Sequence, residues 1–121
     1  MDPTPRLRYR PSQRLHIPSE YEAVFSAKHS AGDAVLLVFV TRAGSDPARL
    51  GTSVGKRCGN SVKRHLLKRY IREAFRLHQL EWPAGLTCVV VPRPGVTPTL
   101  GQVSESLQRL IPRALRKLPL V

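Results

Sequence analysis

An α+β fold, a two-layer sandwich built on one mixed sheet of four strands with three helices, is predicted for this chain by three observations. Residues 34–42 are apolar on both alternating faces, as in a strand covered on two sides. Two further strand patterns, at 50–56 and 86–91, are separated by one amphipathic helix, a βαβ unit whose strands are parallel. Helical spacing with capping chemistry also occurs before the first strand and after the last. The order is α, β, β, α, β, α, with room for one short extra strand before Ala34.

Met1 to about Gln13 holds Pro3, Pro5 and Pro11 with Arg6, Arg8 and Arg10. That composition buries too little apolar surface to offset its ordering entropy, so 1–13 is expected to be a mobile basic arm and 14–121 a single domain. Ser19 to Ala27 reads as a short helix. Pro18 marks its boundary, Ser19 and Glu22 have capping-box spacing, and Tyr21 and Phe25 share a face. The strand Ala34 to Arg42 lies between Gly32 and Gly44. It presents Val35, Leu37 and Phe39 on one side and Leu36, Val38 and Val40 on the other. Gly44-Ser-Asp-Pro47 is turn chemistry. The strand Leu50 to Lys56 follows, with Leu50, Thr52 and Val54 on one side. Gly51, Ser53 and Gly55 on the other leave room for a close approach.

Gly59-Asn60-Ser61 breaks the pattern, and Asn60 or Ser61 is placed to cap a helix running to about His78. Leu66, Leu67, Tyr70, Ile71, Ala74 and His78 fall on one arc of it, which asks for a core. Arg64, Lys68, Arg72 and Arg76 form an i, i+4 row on the other side, flanked by His65 and Arg69. Like charges at that spacing repel. A polyanion laid along the row turns the repulsion into attraction, so the helix is read as binding a phosphate backbone. Pro83 and Gly85 close the connection to the strand Leu86 to Val91. Thr99 with Gln102 opens a last helix that turns Val103, Leu107, Leu110 and Ala114 inward. Pro112 lacks a donor and clashes one turn back, so this helix is expected to kink or stop near Ile111, with a frayed tail from Leu115.

Twenty Lys and Arg stand against eight Asp and Glu, a net charge of +12 over 121 residues. Solubility does not require one sign gathered on one helix. The excess favours nucleic acid as partner over an anionic membrane surface. The longest apolar run, Ala34 to Val40, falls far short of the roughly 20 residues of a membrane span. With no targeting segment evident, the protein is expected in the cytoplasm. Cys58 and Cys88 form no Cys-x-x-Cys pair and His16, His29, His65 and His78 are scattered, which excludes a zinc site of paired ligands. Two isolated thiols suit a reducing compartment.

Catalysis finds little support. The eight acids form no recognisable cluster, and no Ser-His-Asp or Cys-His signature appears. His65 and His78 are the acid–base candidates, but His65 lies among cations that disfavour its protonated form. Gly55-Lys56-Arg57-Cys58-Gly59 precedes a helix yet lacks the leading glycine of a P-loop, since Leu50 stands there. It reads instead as an anion-friendly turn with backbone donors and two cations.

The run Lys56-Arg-Cys-Gly59-Asn60-Ser-Val62-x-Arg64-x-x-x-Lys68-Arg69-x-x-Arg72-Glu73-Ala-Phe75-Arg76 resembles the signature of the bacterial ribonuclease P protein subunit. Arg14-Leu15 and the Tyr21/Phe25 pair resemble that family's N-terminal segment. Leu50-Gly51-x-Ser53-Val54 resembles the strand leading into the signature, and Val89-Val90-Val91-x-Arg93-Pro94 the strand after it. One departure stands out. Arg64-His65-Leu66 replaces a more polar triplet, and Leu66 cannot act as an arginine.

The resemblance implies a left-handed βαβ crossover, against the usual hand. It implies contact between a large catalytic RNA, the ribonuclease P RNA, and Lys56, Arg57, Asn60, Arg64, His65, Lys68, Arg69, Arg72 and Arg76. Tyr21, Phe25, Phe39 and Arg93 would line a cleft for the single-stranded 5′ leader of precursor tRNA. Hydrolysis would belong to the RNA with Mg²⁺, held mainly by RNA phosphates, and no protein catalytic residue or dedicated protein partner is expected. The alternatives are a noncatalytic RNA-binding protein of ribosomal type and a helix-turn-helix DNA regulator. The regulator is disfavoured because the basic helix sits inside a βαβ unit.

Overall fold

Seven residues of β2 (Leu36–Arg42) alternate between two apolar faces, and that alternation sorts the rest of the molecule. In this computed structural model, which describes residues 9–42 and 47–118, β2 is an inner strand of a four-stranded sheet. It pairs antiparallel with β1 (Ser30–Gly32) on one side and with β4 (Leu86–Pro92) on the other. β4 pairs in parallel with β3 (Arg49–Thr52), giving the order β1-β2-β4-β3. The helix α2 (Ser61–His78) joins β3 to β4, so the expected βαβ unit is present. α1 (Pro18–Ala27) precedes the sheet and α3 (Leu100–Leu115) ends it.

Leu36, Val38 and Val40 of β2 share a face with Leu86, Cys88 and Val90 of β4 and Leu50 of β3. Against them pack Ile71, Ala74 and Phe75 of α2 and Val103, Leu107, Leu110, Ile111 and Ala114 of α3. Each large side chain removed from water here contributes about 1.5–3 kcal/mol. The sheet and these two helices form the two-layer body. On the opposite face α1 sets Val24 against Leu15 and Val89, forming a second, smaller cluster. Both faces of β2 are thus covered, one completely and one in part.

Several expectations change in detail. Residues 9–13 are not part of a mobile arm: Gln13 is buried and its amide donates to the Ala48 carbonyl (3.1 Å) and to Gln79 Oε1 (2.8 Å). The Tyr9 hydroxyl donates to the Leu50 carbonyl (3.0 Å), and Leu15 N–H donates to the same oxygen (3.1 Å). This segment therefore covers the open edge of β3, which an isolated sheet edge requires. Residues 1–8 of the expected arm, 44–46 of the expected Gly44–Pro47 turn and 119–121 of the expected frayed tail lie outside the described residues.

Pro18 is the first residue of α1 rather than the boundary before it, and the helix begins without a Ser19/Glu22 capping box. Proline needs no N–H partner at that position. The strand expected from Ala34 begins at Leu36, and Val35 packs with the larger cluster instead of with Leu37 and Phe39. β3 ends at Thr52, and Lys56–Cys58 is a 3-10 turn rather than strand.

α3 opens on the expected Thr99/Gln102 capping box but runs through Pro112 to Leu115. Pro112 is only partly buried, and the residue one turn back whose carbonyl it cannot serve is the exposed Gln108. Burial of Ile111, Ala114 and their neighbours outweighs the local loss of about 3 kcal/mol. Nor does the chain fray between Leu115 and Leu118, since both pack against the same core.

α1 ends on Lys28 in the left-handed region (φ 59°), where its N–H donates to the Phe25 carbonyl. A side chain is disfavoured there. Lys28→Gly is expected to raise the free energy of unfolding by roughly 0.5–1 kcal/mol, less than the full strain because glycine loses more entropy on folding. The midpoint of urea denaturation reads it directly.

Candidate nucleic-acid interface

Gly59 fixes where the basic helix starts. Its φ of 125° suits glycine alone, and a methyl group there would come within 2.7 Å of Lys63 Cδ. Asn60 then caps α2, its Oδ1 accepting from Lys63 N–H at 2.9 Å. The helix is rotated slightly from the sequence-based arc. Phe75 is fully buried, packing beside Trp82 (5.4 Å) and edge-on to Tyr9 (5.6 Å), whereas Leu66 is 39% exposed. Exchanging Leu66 for Phe75 turns the basic row from the outer crest toward the β3 side. Arg64, Lys68 and Arg72 are therefore half-buried along their stems, while His65 and Arg69 stand exposed.

The four positions from Arg64 to Arg76 span about 18 Å of helix. They are not equivalent. Arg76 is held by Glu73 through two hydrogen bonds, Nε to Oε2 at 3.0 Å and Nη2 to Oε1 at 2.5 Å. The Nε atoms of Arg64 and Arg72 are shielded from water with no acceptor among the described residues. Arg14, noted in the sequence only beside Leu15, widens the cationic strip, and Tyr9 supports it. Arg14 lies over the Tyr9 ring (5.1 Å), and Arg72 and Arg14 both pull on the Tyr9 phenol, which burial nonetheless pushes up to about 12. No local pattern marks Tyr9, which falls in the 1–13 stretch that reads as an arm.

The turn before α2 is less open to an anion than its sequence suggested. Cys58 N–H donates to the Gly55 carbonyl and Gly59 N–H to that of Lys56, so both donors are used within the turn. The side chains of Lys56 and Arg57 remain exposed.

The other face of the sheet gathers the aromatic residues. Phe39, Val89 and Gly51 lie in register across β2, β4 and β3, and Gly32, Leu37 and Val91 form the next row. α1 crosses above with Tyr21 and Phe25. Phe25 meets Phe39 edge to face at 4.9 Å. Tyr21, Phe25, Phe39 and Val91 stay only partly buried, leaving a shallow apolar trough. The close approach expected at Gly51 is found, since a methyl group there would lie 2.7 Å from both Leu15 Cδ1 and Tyr21 Cε1. Arg93 sits at the end of this trough. A methyl group on Gly32 would reach 2.5 Å from its Nη2 and 3.1 Å from Leu37 Cδ1, so the guanidinium rests on the trough side of β1.

The acid–base candidates have other partners. Glu81 only accepts, so His78 Nδ1–H donates to it (2.6 Å), and Nε2 accepts from the Ser104 hydroxyl (2.9 Å), tying α2 to α3. Both thiols are buried and free, and burial pushes that of Cys88 up to about 12.

Residues 9–115 match the sequence model of the family described as Ribonuclease P. The chain belongs to the ribonuclease P family. Among its relatives, the ribonuclease P protein component of Brevibacillus brevis is 36% identical over 105 residues, covering 85% of this chain and 83% of that protein. The component of Thioalkalivibrio sulfidiphilus is 38% identical over 87 residues, covering 71% and 72%. The solved Staphylococcus aureus RNase P protein superposes with a TM-score of 0.75 at 28% identity, covering 87% of this chain and 95% of that one. The Thermotoga maritima RNase P protein gives 0.74 at 27%, covering 88% and 100%. The ribonuclease P match spans the basic row of α2 and the aromatic trough together, and it includes Tyr9 and Arg14.

One acid organises the trough's far end in this ribonuclease P chain. Burial raises the Asp33 carboxyl's pKa, but the amides of Leu36 and Val35 and the Arg109 guanidinium outweigh it and hold the group well below the usual carboxylate range. A depressed carboxylate stabilises the fold fully above its unfolded value of about 3.9, and that contribution fades as pH falls toward the folded value. Stability should therefore decline from about pH 5 downward. In Asp33→Asn the decline should be shallower by up to about 1.4 kcal/mol per pH unit, the slope of one proton. Urea titrations across acid pH measure both.

Proposed function

We propose that this chain is the protein subunit of a ribonuclease P ribonucleoprotein that removes the 5′ leader from precursor tRNA. The observation that carries the reading is the separation of two surfaces on one small domain. A cationic helix face suits folded RNA, and an aromatic trough on the other side of the sheet suits an unpaired strand. Arg64, Lys68, Arg69 and Arg72, with Lys56 and Arg57, neutralise phosphates of the ribonuclease P RNA. Asn60 sets the helix start that aims them, and His65 adds a hydrogen bond to phosphate or ribose. Arg76 contributes less, since Glu73 already answers its charge. Tyr21, Phe25 and Phe39 take bases of the leader by stacking, with Arg93 at the exit.

Cleavage in this reading belongs to the RNA. Among the described residues no three His, Cys, Asp or Glu side chains converge on a point where they could share a metal ion. We assign Mg²⁺ to RNA and substrate phosphates, where it would activate water and stabilise the leaving oxygen. The chain lowers the Mg²⁺ requirement by supplying fixed positive charge, and it broadens substrate recognition through the leader. No helix among the described residues is long and apolar enough to cross a membrane, and we place the complex in the cytoplasm without a dedicated protein partner. A ribosomal RNA-binding protein would share the charge but has no use for a leader trough.

Adding the purified chain to a bacterial ribonuclease P RNA at low Mg²⁺ is expected to restore 5′ processing of precursor tRNA. RNA binding without any stimulation of cleavage would favour the ribosomal alternative. Arg64→Ala and Arg72→Ala should each flatten the slope of log affinity against log salt for assembly by roughly 0.7–0.9. Phe25→Ala or Phe39→Ala should instead weaken leader binding by about 1–3 kcal/mol while assembly stays intact. Loss of folding in the phenylalanine variants would show that those rings serve only the core.

A further inference from the structure

We infer that the RNA strand leaving the aromatic trough continues past Arg93, over the turn between β1 and β2, onto a second cationic surface formed by α3. The inference rests on the leader reading above and names where the upstream part of that leader goes.

Asp33 joins the two surfaces. Its carbonyl accepts from Arg93 Nε at 3.0 Å, and its carboxylate Oδ2 accepts from Arg109 Nη2 at 2.8 Å. The carboxylate's other oxygen takes the amides of Val35 and Leu36, so the turn is rigid and both guanidinium groups are fixed to it. From Arg109 the cations go on along α3, with Arg113 one turn later and then Arg116 and Lys117. Lys117 reaches back to the Ser30 carbonyl of β1. All five cations from Arg93 to Lys117 are exposed, and Asp33 and Glu105 are the only acids in residues 28–35 and 93–118.

This surface is separate from the basic row of α2. On α3, Ser104 and Gln108 face α2 through His78, whereas Arg109, Arg113 and Lys117 lie on the flank toward β1. β1 and β3 are the two edges of the sheet, so the cationic flanks stand at opposite ends of it. A helix C-terminus favours cations through its dipole, which accounts for those of the last turn. It does not account for Arg109 or Arg93. Among the described residues the exposed large apolar side chains (Ile17, Val62, Leu66, Leu77 and Leu80) are all elsewhere, so the described part of this flank offers nothing to insert into a lipid surface. Positive charge without apolar anchors, starting where a single-stranded trough ends, fits a phosphate backbone.

The test uses the reconstituted holoenzyme and two precursor tRNAs, with leaders of about 5 and about 15 nucleotides, bracketing the length one such surface covers. The wild-type complex should bind the long-leader substrate more tightly. Arg113→Ala combined with Arg116→Ala should remove that gain, roughly three- to tenfold for two exposed phosphate contacts. Affinity for the short leader and assembly with the RNA should not change, and lysine at both positions should restore the gain. The inference is overturned if wild type shows no gain from leader length. It is equally overturned if the double variant loses nothing, loses both substrates alike, or weakens assembly, the last placing α3 against the RNA subunit. Failure of the underlying leader reading shows separately, as a wild-type complex in which the chain does not aid even the short-leader substrate.

Discussion

Burial of Ile71, Ala74 and Phe75 against the sheet holds in place a helix whose remaining face repels itself. Without that contact α2 would be a short, strongly basic peptide, marginal in water on propensity alone. With it, Arg64, Lys68 and Arg72 are fixed relative to one another before any partner arrives. The cations lose little further freedom on binding, so less of the electrostatic attraction is offset by ordering. The sheet therefore serves the interface more by rigidity than by contact. Its parallel β3–β4 pair requires a crossover, and the crossover is the cationic helix itself.

The same strand supports two different surfaces because its period is two. Leu36, Val38 and Val40 anchor the helical layer, while Phe39 between them faces α1. A one-residue slip of β2 would exchange these sets and put Phe39 in the core. Register is thus a functional matter here. It is secured by seven paired positions with β4 and by the Asp33 turn, whose side chain accepts from Val35 and Leu36 just before the strand.

Much of this was legible in the sequence because the decisive signals are local. The two-sided strand, the Asn60 cap, the Thr99/Gln102 box and the i, i+4 cation row each need only a few neighbouring residues to be read. What was not legible depends on distant partners. Residues 9–13 look disordered by composition, yet Tyr9 and Gln13 find acceptors in Leu50, Ala48 and Gln79 that no local pattern announces. Pro112 should have ended α3 on local grounds, and the core beneath it decides otherwise. The rotation of α2 that exchanged Leu66 for Phe75 depends on where Tyr9 and Trp82 sit. On the interface, sequence gave the identity of the cations but not which were already answered, as Arg76 is by Glu73 and Arg109 by Asp33.

That distribution of paired and unpaired charge bears on why so basic a chain folds at all. Among the described residues, three acids are in ion pairs, Glu20 with Arg49, Asp33 with Arg109 and Glu73 with Arg76, while Glu81 accepts a hydrogen bond from His78. These pairs are mostly exposed, and each contributes little to stability on its own. Their effect is on the field. Their acids each answer one cation, beside α1, at the β1–β2 turn and at the far end of α2. They leave the excess in two places, along Arg64, Lys68, Arg69 and Arg72 of α2 and along Arg113, Arg116 and Lys117 at the end of α3. Self-repulsion is thereby concentrated on helices whose inner faces are buried in the core. Salt then acts on two terms in opposite directions, relieving repulsion within the free chain while weakening its attraction to RNA. A uniform spread of the same net charge would soften the repulsion equally well and would leave no face on which a polyanion is preferred.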